Sequence, residues 1–595
     1  MKHTFGSMLI ALFFLLMTMP VRADHNSSYV ILRSYYPTND PLSYQNMYMY
    51  TGVHYIPTQN VTFHLSLMKG RGEAGYYPVG YFTDAVKGFY EKGTYYLFLQ
   101  DQFRFNKIIV GNYIPLFGQG LLFGGIYPLI MVNPYYDLAR YRDGIYPSGS
   151  SSKNVLLEGI ALEYEFNTTC VRPFFSWNTY DGSAGESSYY KYCDNDLDEI
   201  PNEIDDDDFT GIQDEFGENY SCKSNLFSCI RDGSDYGEES DRAKRNNLAE
   251  YVAGVNVSMN KGDLRIGSTV AYTHFNRLVD PYYNFDSNEG DKTGHYFRGK
   301  AFFCSSVYFK LYKPVELFGE VVGTFHNELS YYPEFNGGLS TVVGFSGGAR
   351  RKFRNTGLIL WGAYLPANLV NPHALELPDG CNNLACGLLG LHRVKNRRQF
   401  TNWLYLYSEL YNKDYPDHEE AGICYSYFLK WPAGKKVTLK IDQSFEGIDN
   451  YYYAPLVWSY KVSSKASVKY ALSDEFGLTF RFENRTGGSS GEDIESGTGI
   501  TAEIFSSKKT SKISFSIMGY TTDESRFAYL YPYERSLYRW SFVPQAVHGR
   551  GFISLFTLVY DWDKLTMGTK VKYNLEMSSG VHQEATIYGI SEYRF

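Results

Sequence analysis

The chain has 595 residues, a formal net charge of −9, and 56 Tyr and 41 Phe that bring aromatics to 17%. Mean hydropathy is only −0.33. A chain rich in rings yet not hydrophobic overall, with no mature run of about 18 apolar residues, excludes helical membrane spans and fits a barrel with a wet interior and aromatic girdles. A large secreted sandwich is the competing class, but such chains show domain breaks that this one lacks.

The first element is an export signal. Lys2 and His3 precede the apolar run Met8–Met17, and Pro20-Val21-Arg22-Ala23 supplies a small residue before a cut after Ala23. The predicted layout is a signal peptide over 1–23 and a barrel over 24–595, with a loop insertion at 181–247.

From Gln59 onward the chain reads as strand, turn, strand. One strand is expected from about Cys170 to Tyr180, and the next near Tyr251. Between them, Asp194 to Glu218 holds twelve carboxylates and no Lys or Arg, so the acidity of the chain is local. The tract repeats every twelve residues. Asp194, Asp196, Asp198, Ile200, Asn202 and Glu203 superimpose on Asp206, Asp208, Thr210, Ile212, Asp214 and Glu215. Oxygens at every second position can converge on one hard cation, and calcium takes six to eight oxygen ligands. A solvated acidic loop is the alternative. The candidate ligands are Asp194, Asp196, Asp198, Asn202, Asp205, Asp206, Asp208 and Asp214, with Ca2+ as the expected cofactor.

Later strands alternate plainly. Leu264, Ile266, Val270 and Tyr272 share a face, as do Val437, Leu439 and Ile441, then Ile513, Phe515 and Ile517, then Phe552, Phe556, Leu558, Tyr560 and Trp562. Short turns, such as Pro432-Ala433-Gly434 and Asp563-Lys564, alternate with longer connections. The last strand places Ala585, Ile587, Gly589, Ser591, Tyr593 and Phe595 on one face, opposite Glu584, Thr586, Tyr588, Ile590, Glu592 and Arg594. The fold class is all-β: one large transmembrane antiparallel β-barrel of about 22–26 strands with long extracellular loops, at roughly 24 residues per strand and loop. No segment is left over for an N-terminal plug domain, which argues against a plugged energy-coupled receptor.

Eight cysteines fit an oxidising compartment, and three of them, Cys193, Cys222 and Cys229, bracket the acidic tract. Cys193 with Cys222 or Cys229 would pin the tract, and Cys381 and Cys386 close a small loop. Cys170, Cys304 and Cys424 are expected in strands as small fillers. None of the 12 His sits in a nucleophile or metal motif, so no enzyme activity is expected.

Three resemblances follow from these residues. The tract Asp194–Glu203 with Asp206–Glu215 resembles thrombospondin type 3 calcium repeats, with Glu199 where the family has Gly and Thr210 where it has Asp. Gly111-Asn112-Tyr113 and Phe117-Gly118-Gln119-Gly120-Leu121 resemble elements of bacterial outer-membrane barrels that often carry a helix-hairpin-helix segment. Ala139 to Arg142, Gly159-Ile160-Ala161, Phe297-Arg298-Gly299 and Leu317-Phe318-Gly319-Glu320-Val321 match that group in the same order. This chain lacks the helix-hairpin-helix segment, and no nucleic-acid partner is expected. A terminal strand ending in Phe595 resembles the C-terminal signal of such barrels. It implies outer-membrane lipid and the barrel-assembly machinery as partners, and a Gram-negative outer membrane as the location. The expected function is a porin-like channel or transporter, its calcium-stabilised surface loop restricting or recognising cargo. The alternative is a barrel anchor whose loops act in surface recognition or envelope structure. Glu320 is expected to line the lumen, tuning ion passage or holding structure by hydrogen bonds.

Overall fold

The computed structural model describes residues 28–37, 47–69, 92–124, 135, 138, 143–150, 156–186, 223–231, 248–279, 299–327, 339–366, 369, 384–409, 420–449, 458–490, 493–525, 527–537, 546–577 and 581–594. The signal segment, Phe595, Cys193, Cys222, Cys381 and all eight calcium candidates lie outside the described residues.

The strands run in chain order as β1 (Tyr29–Pro37), β2 (Tyr48–Thr58), β3 (Val61–Lys69), β4 (Lys92–Gln102), β5 (Phe105–Leu116), β6 (Gly144–Pro147), β7 (Leu157–Phe166), β8 (Thr169–Glu186) and β9 (Lys223–Arg231). Then come β10 (Leu248–Lys261), β11 (Leu264–Val279), β12 (Gly299–Leu311), β13 (Glu316–Asn327), β14 (Leu339–Phe353), β15 (Thr356–Leu365), β16 (Leu384–Lys395), β17 (Arg398–Glu409) and β18 (Glu420–Ala433). The last are β19 (Val437–Asp449), β20 (Trp458–Ala471), β21 (Phe476–Ser489), β22 (Glu495–Ser507), β23 (Ser511–Thr522), β24 (Arg550–Trp562), β25 (Leu565–Glu576) and β26 (His582–Arg594).

All but β6 and β9 form a closed antiparallel barrel of 24 strands. It closes where β26 pairs with β1, Arg594 opposite Tyr29 and Thr586 opposite Pro37. Every backbone donor and acceptor along the ring thus has a neighbouring strand, with no open edge.

Tight turns all fall at one end. Asn167, Arg354, Asn396 and Asp563 sit in the left-handed region there, with φ between 48° and 53°. Such residues reverse a chain in two steps with the twist that flanking strands need. Longer connections fall at the other end. The turn expected at Pro432-Ala433-Gly434 begins later, since Pro432 and Ala433 still pair with Thr438 and Val437.

In β22–β26 the two faces separate by polarity. Ile500, Ile513, Phe515, Ile517, Phe552, Phe556, Ile587 and Tyr593 point outward and are exposed. Thr586, Ile590 and Glu592 of β26 point inward and are buried. The apolar set seen in the sequence therefore forms the outer surface.

Two expectations need correction. The strand read as Cys170–Tyr180 runs to Glu186, and the 181–247 insertion contains β9. β9 pairs with the far end of β8 and, in parallel, with Leu278 and Val279 of β11. It fills the place beyond the start of β10, so chain from the insertion extends the wall. Cys170 and Cys304 do carry buried free thiols in β8 and β12. Cys386 lies within β16 rather than in the connection before it.

Candidate functional site: the lumen of the barrel

Two connections fold into the barrel. The first leaves β5 at Phe117. Its entry is a compact turn, with the Gly120 amide donating to the Phe117 carbonyl (3.0 Å) and the Phe117 amide donating to the Phe123 carbonyl (3.2 Å). Gly118 has φ of 60° and lies so close to Tyr308 and Glu320 that a Cβ would meet both below 3.0 Å. Only glycine supplies both the left-handed backbone and the close approach. Phe117, Leu121, Leu122 and Phe123 are buried, and both Phe rings pack on Phe174 of β8.

Glu320 of β13 holds this turn. Its Oε2 accepts from the amides of Gln119 (2.8 Å) and Leu121 (3.1 Å), and the residue is 1% exposed. Hydrogen bonds to a carboxylate are stronger than neutral ones, and buried amides without a partner are costly. Farther along, the Arg350 guanidinium donates to the Tyr135 carbonyl (3.1 Å), while His392 stacks on the Tyr135 ring. Asp143 then accepts from Arg172 (2.8 Å), which also reaches Glu163 (2.7 Å), Asn256 and Ser258 (2.9 Å each). Beyond it, β6 pairs with β5. The described residues of this first segment thus touch inner-wall strands between β5 and β16.

The second segment joins β23 to β24. Reciprocal amide–carbonyl bonds between Leu530 and Val547 tie its two legs together. Tyr531 lies under Arg485, and Tyr533 under Arg481 at 3.8 Å. Glu534 bridges Lys570 and Lys572, the latter at 2.8 Å. Burial pushes the Glu534 carboxyl up, but the charges and hydrogen bonds of the two lysines outweigh it and hold the group below the ordinary carboxylate value. Arg535 pairs with Glu503, which also holds Arg481 at 2.8 Å. Leu537 packs with Ile31, Tyr50 and Ile590, so this segment covers the wall from β21 past the closure to β2.

Between the two covered sectors, the inner face of β18–β20 stays open among the described residues, with β21 at its covered edge. The register sets its side chains in rows. Lys430, Lys440, Ser467 and Arg481 form one, then Phe428, Asp442, Lys465 and Glu483, then Ser426, Ser444, Ser463 and Arg485. A recess of about 180 Å³ opens there, lined by Asp442, Ser444, Glu446, Lys461, Ser463, Lys465 and Arg485. Its charges partly cancel through Lys461–Glu446 (3.3 Å), Lys465–Glu483 (3.3 Å) and Arg485–Glu483 (3.5 Å).

The structure brings together two motifs singled out in the sequence, Phe117–Leu121 and Leu317–Val321, through Glu320. It assigns Glu320 the hydrogen-bonding role. Tyr113 of the first motif is buried, its hydroxyl donating to the Phe175 carbonyl (2.9 Å). His392 is a packing residue, its Nδ1 at 2.9 Å from the Thr401 hydroxyl. The second segment was not anticipated, although the lapse of alternation after Thr522 and the unusual run Tyr529-Leu530-Tyr531-Pro532-Tyr533 mark it.

No family model matches the chain, and no curated protein matches it. Among solved structures, the chain is similar to a mutant of the ferric enterobactin receptor PfeA from Pseudomonas aeruginosa, at 9% identity and TM-score 0.42, covering 96% of this chain and 81% of that one. It is also similar to the ferric-catecholate import receptor Fiu from E. coli K12 (8% identity, TM-score 0.36, 97% and 82% covered). A third is the siderophore receptor PirA from Acinetobacter baumannii (9% identity, TM-score 0.40, 97% and 81% covered). The helix-hairpin-helix and thrombospondin resemblances find no counterpart in these comparisons.

Proposed function

We propose that this chain is an outer-membrane channel or transporter that passes a polar solute through a lumen narrowed by two inward segments. The observation that carries it is the lumen itself: two sectors of wall are covered by docked chain, and among the described residues the sector β18–β20 is left open and charged. An anchor for surface loops would need no such wall. The continuous apolar outer face supports membrane placement, because a water-soluble protein rarely exposes so large an apolar patch. Twenty-four strands exceed the size at which barrel side chains alone can fill the interior.

The test is single-channel recording on the purified full chain in planar bilayers, with liposome solute uptake beside it. Discrete conductance steps support passage. Absence of both conductance and uptake would sink it in favour of the anchor reading.

Calcium belongs to the same proposal. The acidic tract, through Asp194, Asp196, Asp198, Asn202, Asp205, Asp206, Asp208 and Asp214, coils around the cation and orders the surface loop that meets the cargo. Calorimetric titration of the chelated full-length protein should show calcium binding. A flat titration at millimolar calcium counts against it. The strand ending in Phe595 serves barrel assembly, so deleting Phe595 should lower the folded fraction in the outer membrane.

A further inference from the structure

The row Lys430–Lys440 is the least expected feature of the open wall. These two residues are directly opposite across β18 and β19. Like charges so placed are destabilising, at about 5 Å between Cβ atoms. Lys440 also lies within electrostatic reach of Arg481 and Lys469. Glu503 serves Arg481 and Arg535, while Glu446 and Glu483 serve Lys461, Lys465 and Arg485. Asp442, one row on, lies beside Lys465 and Glu483. Among the described residues, Lys430, Lys440 and Lys469 are left without a carboxylate partner, and Lys469 has only the Phe505 ring beneath it. Lys440 and Lys469 are exposed and Lys430 is half-buried, all on the inner face.

Three lysines without a carboxylate partner give this stretch of the wall a positive local potential that attracts anions. We propose that the inner face of β18–β20 binds a small oxyanion, of the phosphate or carboxylate class, so that the lumen selects anions over cations. Ser467, opposite Lys440 in the same row, offers a hydroxyl donor to the same oxygens. The proposal rests on an open lumen and names the class of solute that enters it.

The experiment pairs selectivity with binding. In a potassium chloride gradient, the wild-type pore should favour chloride. Lys430→Gln with Lys440→Gln should lower the chloride-to-potassium permeability ratio by about threefold or more, since charges lining a low-dielectric cleft set the local ion concentration. Both substitutions relieve repulsion, so folding is not threatened. Lys435→Gln in the adjoining turn should leave the ratio unchanged. Phosphate and citrate, added separately, should block chloride current in the wild type and lose that effect in the double variant, and the stronger blocker identifies the class. A cation-selective pore, or a ratio unmoved by the double variant, overturns the proposal and leaves the channel standing. If the protein does not conduct, calorimetric titration with phosphate and with citrate decides the site. Binding lost in the double variant upholds it, and no binding of either overturns it.

Discussion

Glu320 and Glu534 are the residues on which the two inward segments hang, by different physics. Glu320 satisfies two backbone amides in a site 1% exposed. Glu320→Ala would leave both amides unpaired, at about 1–3 kcal/mol each. The expected outcome is a lower melting temperature and a wider pore, read as calorimetry and increased conductance. Glu534 instead neutralises Lys570, whose side chain is fully buried, and Lys572. Glu534→Gln strands that buried charge, at about 3–5 kcal/mol. Its carboxyl is held low in the fold, so its stabilising contribution is complete above the unfolded value of about 4.3 and is lost as pH falls through the native value. Protease cleavage within 523–549 should therefore rise only below about pH 4, and Glu534→Gln should be cleaved equally at pH 7 and pH 3. Cleavage of wild type that is unchanged down to pH 3 would count against this. Gly267 acts by absence: a Cβ there would meet the Tyr308 ring within 2.5 Å, and Tyr308 links Asn256 to Asp143.

Each strand of the wall presents different residues to its two faces, and the outer face can be tested directly. Ile500 on β22 is 60% exposed and points outward, flanked on the strand by inward-facing Gly499 and Thr501. Ile500→Arg should destabilise the barrel by about 2–4 kcal/mol if it lies at mid-membrane depth. Urea unfolding in lipid vesicles measures that cost, and a change near zero would argue against lipid contact at this position. Alternation of this kind was legible in the sequence for β11, β23, β24 and β26, because a period of two needs only neighbouring residues to be seen. Even the sign of the faces was readable, since Ile587 and Tyr593 stand against Thr586 and Glu592. β9 was not legible: Lys223–Arg231 takes its place from the exposed ends of β8 and β11, which its own sequence does not encode. The end points of β18 failed for a smaller reason. Pro432 reads as a turn residue, yet it continues the ladder as far as its opposite, Thr438.

At the scale of the whole molecule, function depends on what fills the ring. Removing the loop core 527–546 and joining its ends with a short Gly-Ser linker should raise unitary conductance several-fold, while heat-modifiable migration on gels reports that the barrel still closes. Conductance equal to wild type would mean that the second segment does not narrow the path. Calcium chelation gives a separate prediction: it should change gating or cargo capture without altering urea stability of the wall, because the acidic tract lies in the connection beyond β8.

The sequence by itself determined the class of fold, the closed antiparallel wall and the polarity of its faces. These are written in local periodicity and in residues such as Asn167 and Asp563, which turn the chain without help from afar. It also marked Phe117–Leu121 and Leu317–Val321 as elements of interest. Only the tertiary structure decided that they meet, that residues 527–537 fold inward, and that β18–β20 remains uncovered among the described residues. Those outcomes depend on contacts between residues 201 positions apart or more, such as Gln119 with Glu320 and Tyr135 with Arg350. Which lysines keep a partner is settled by the register of the ring and by what docks inside it, and neither can be read along a single strand.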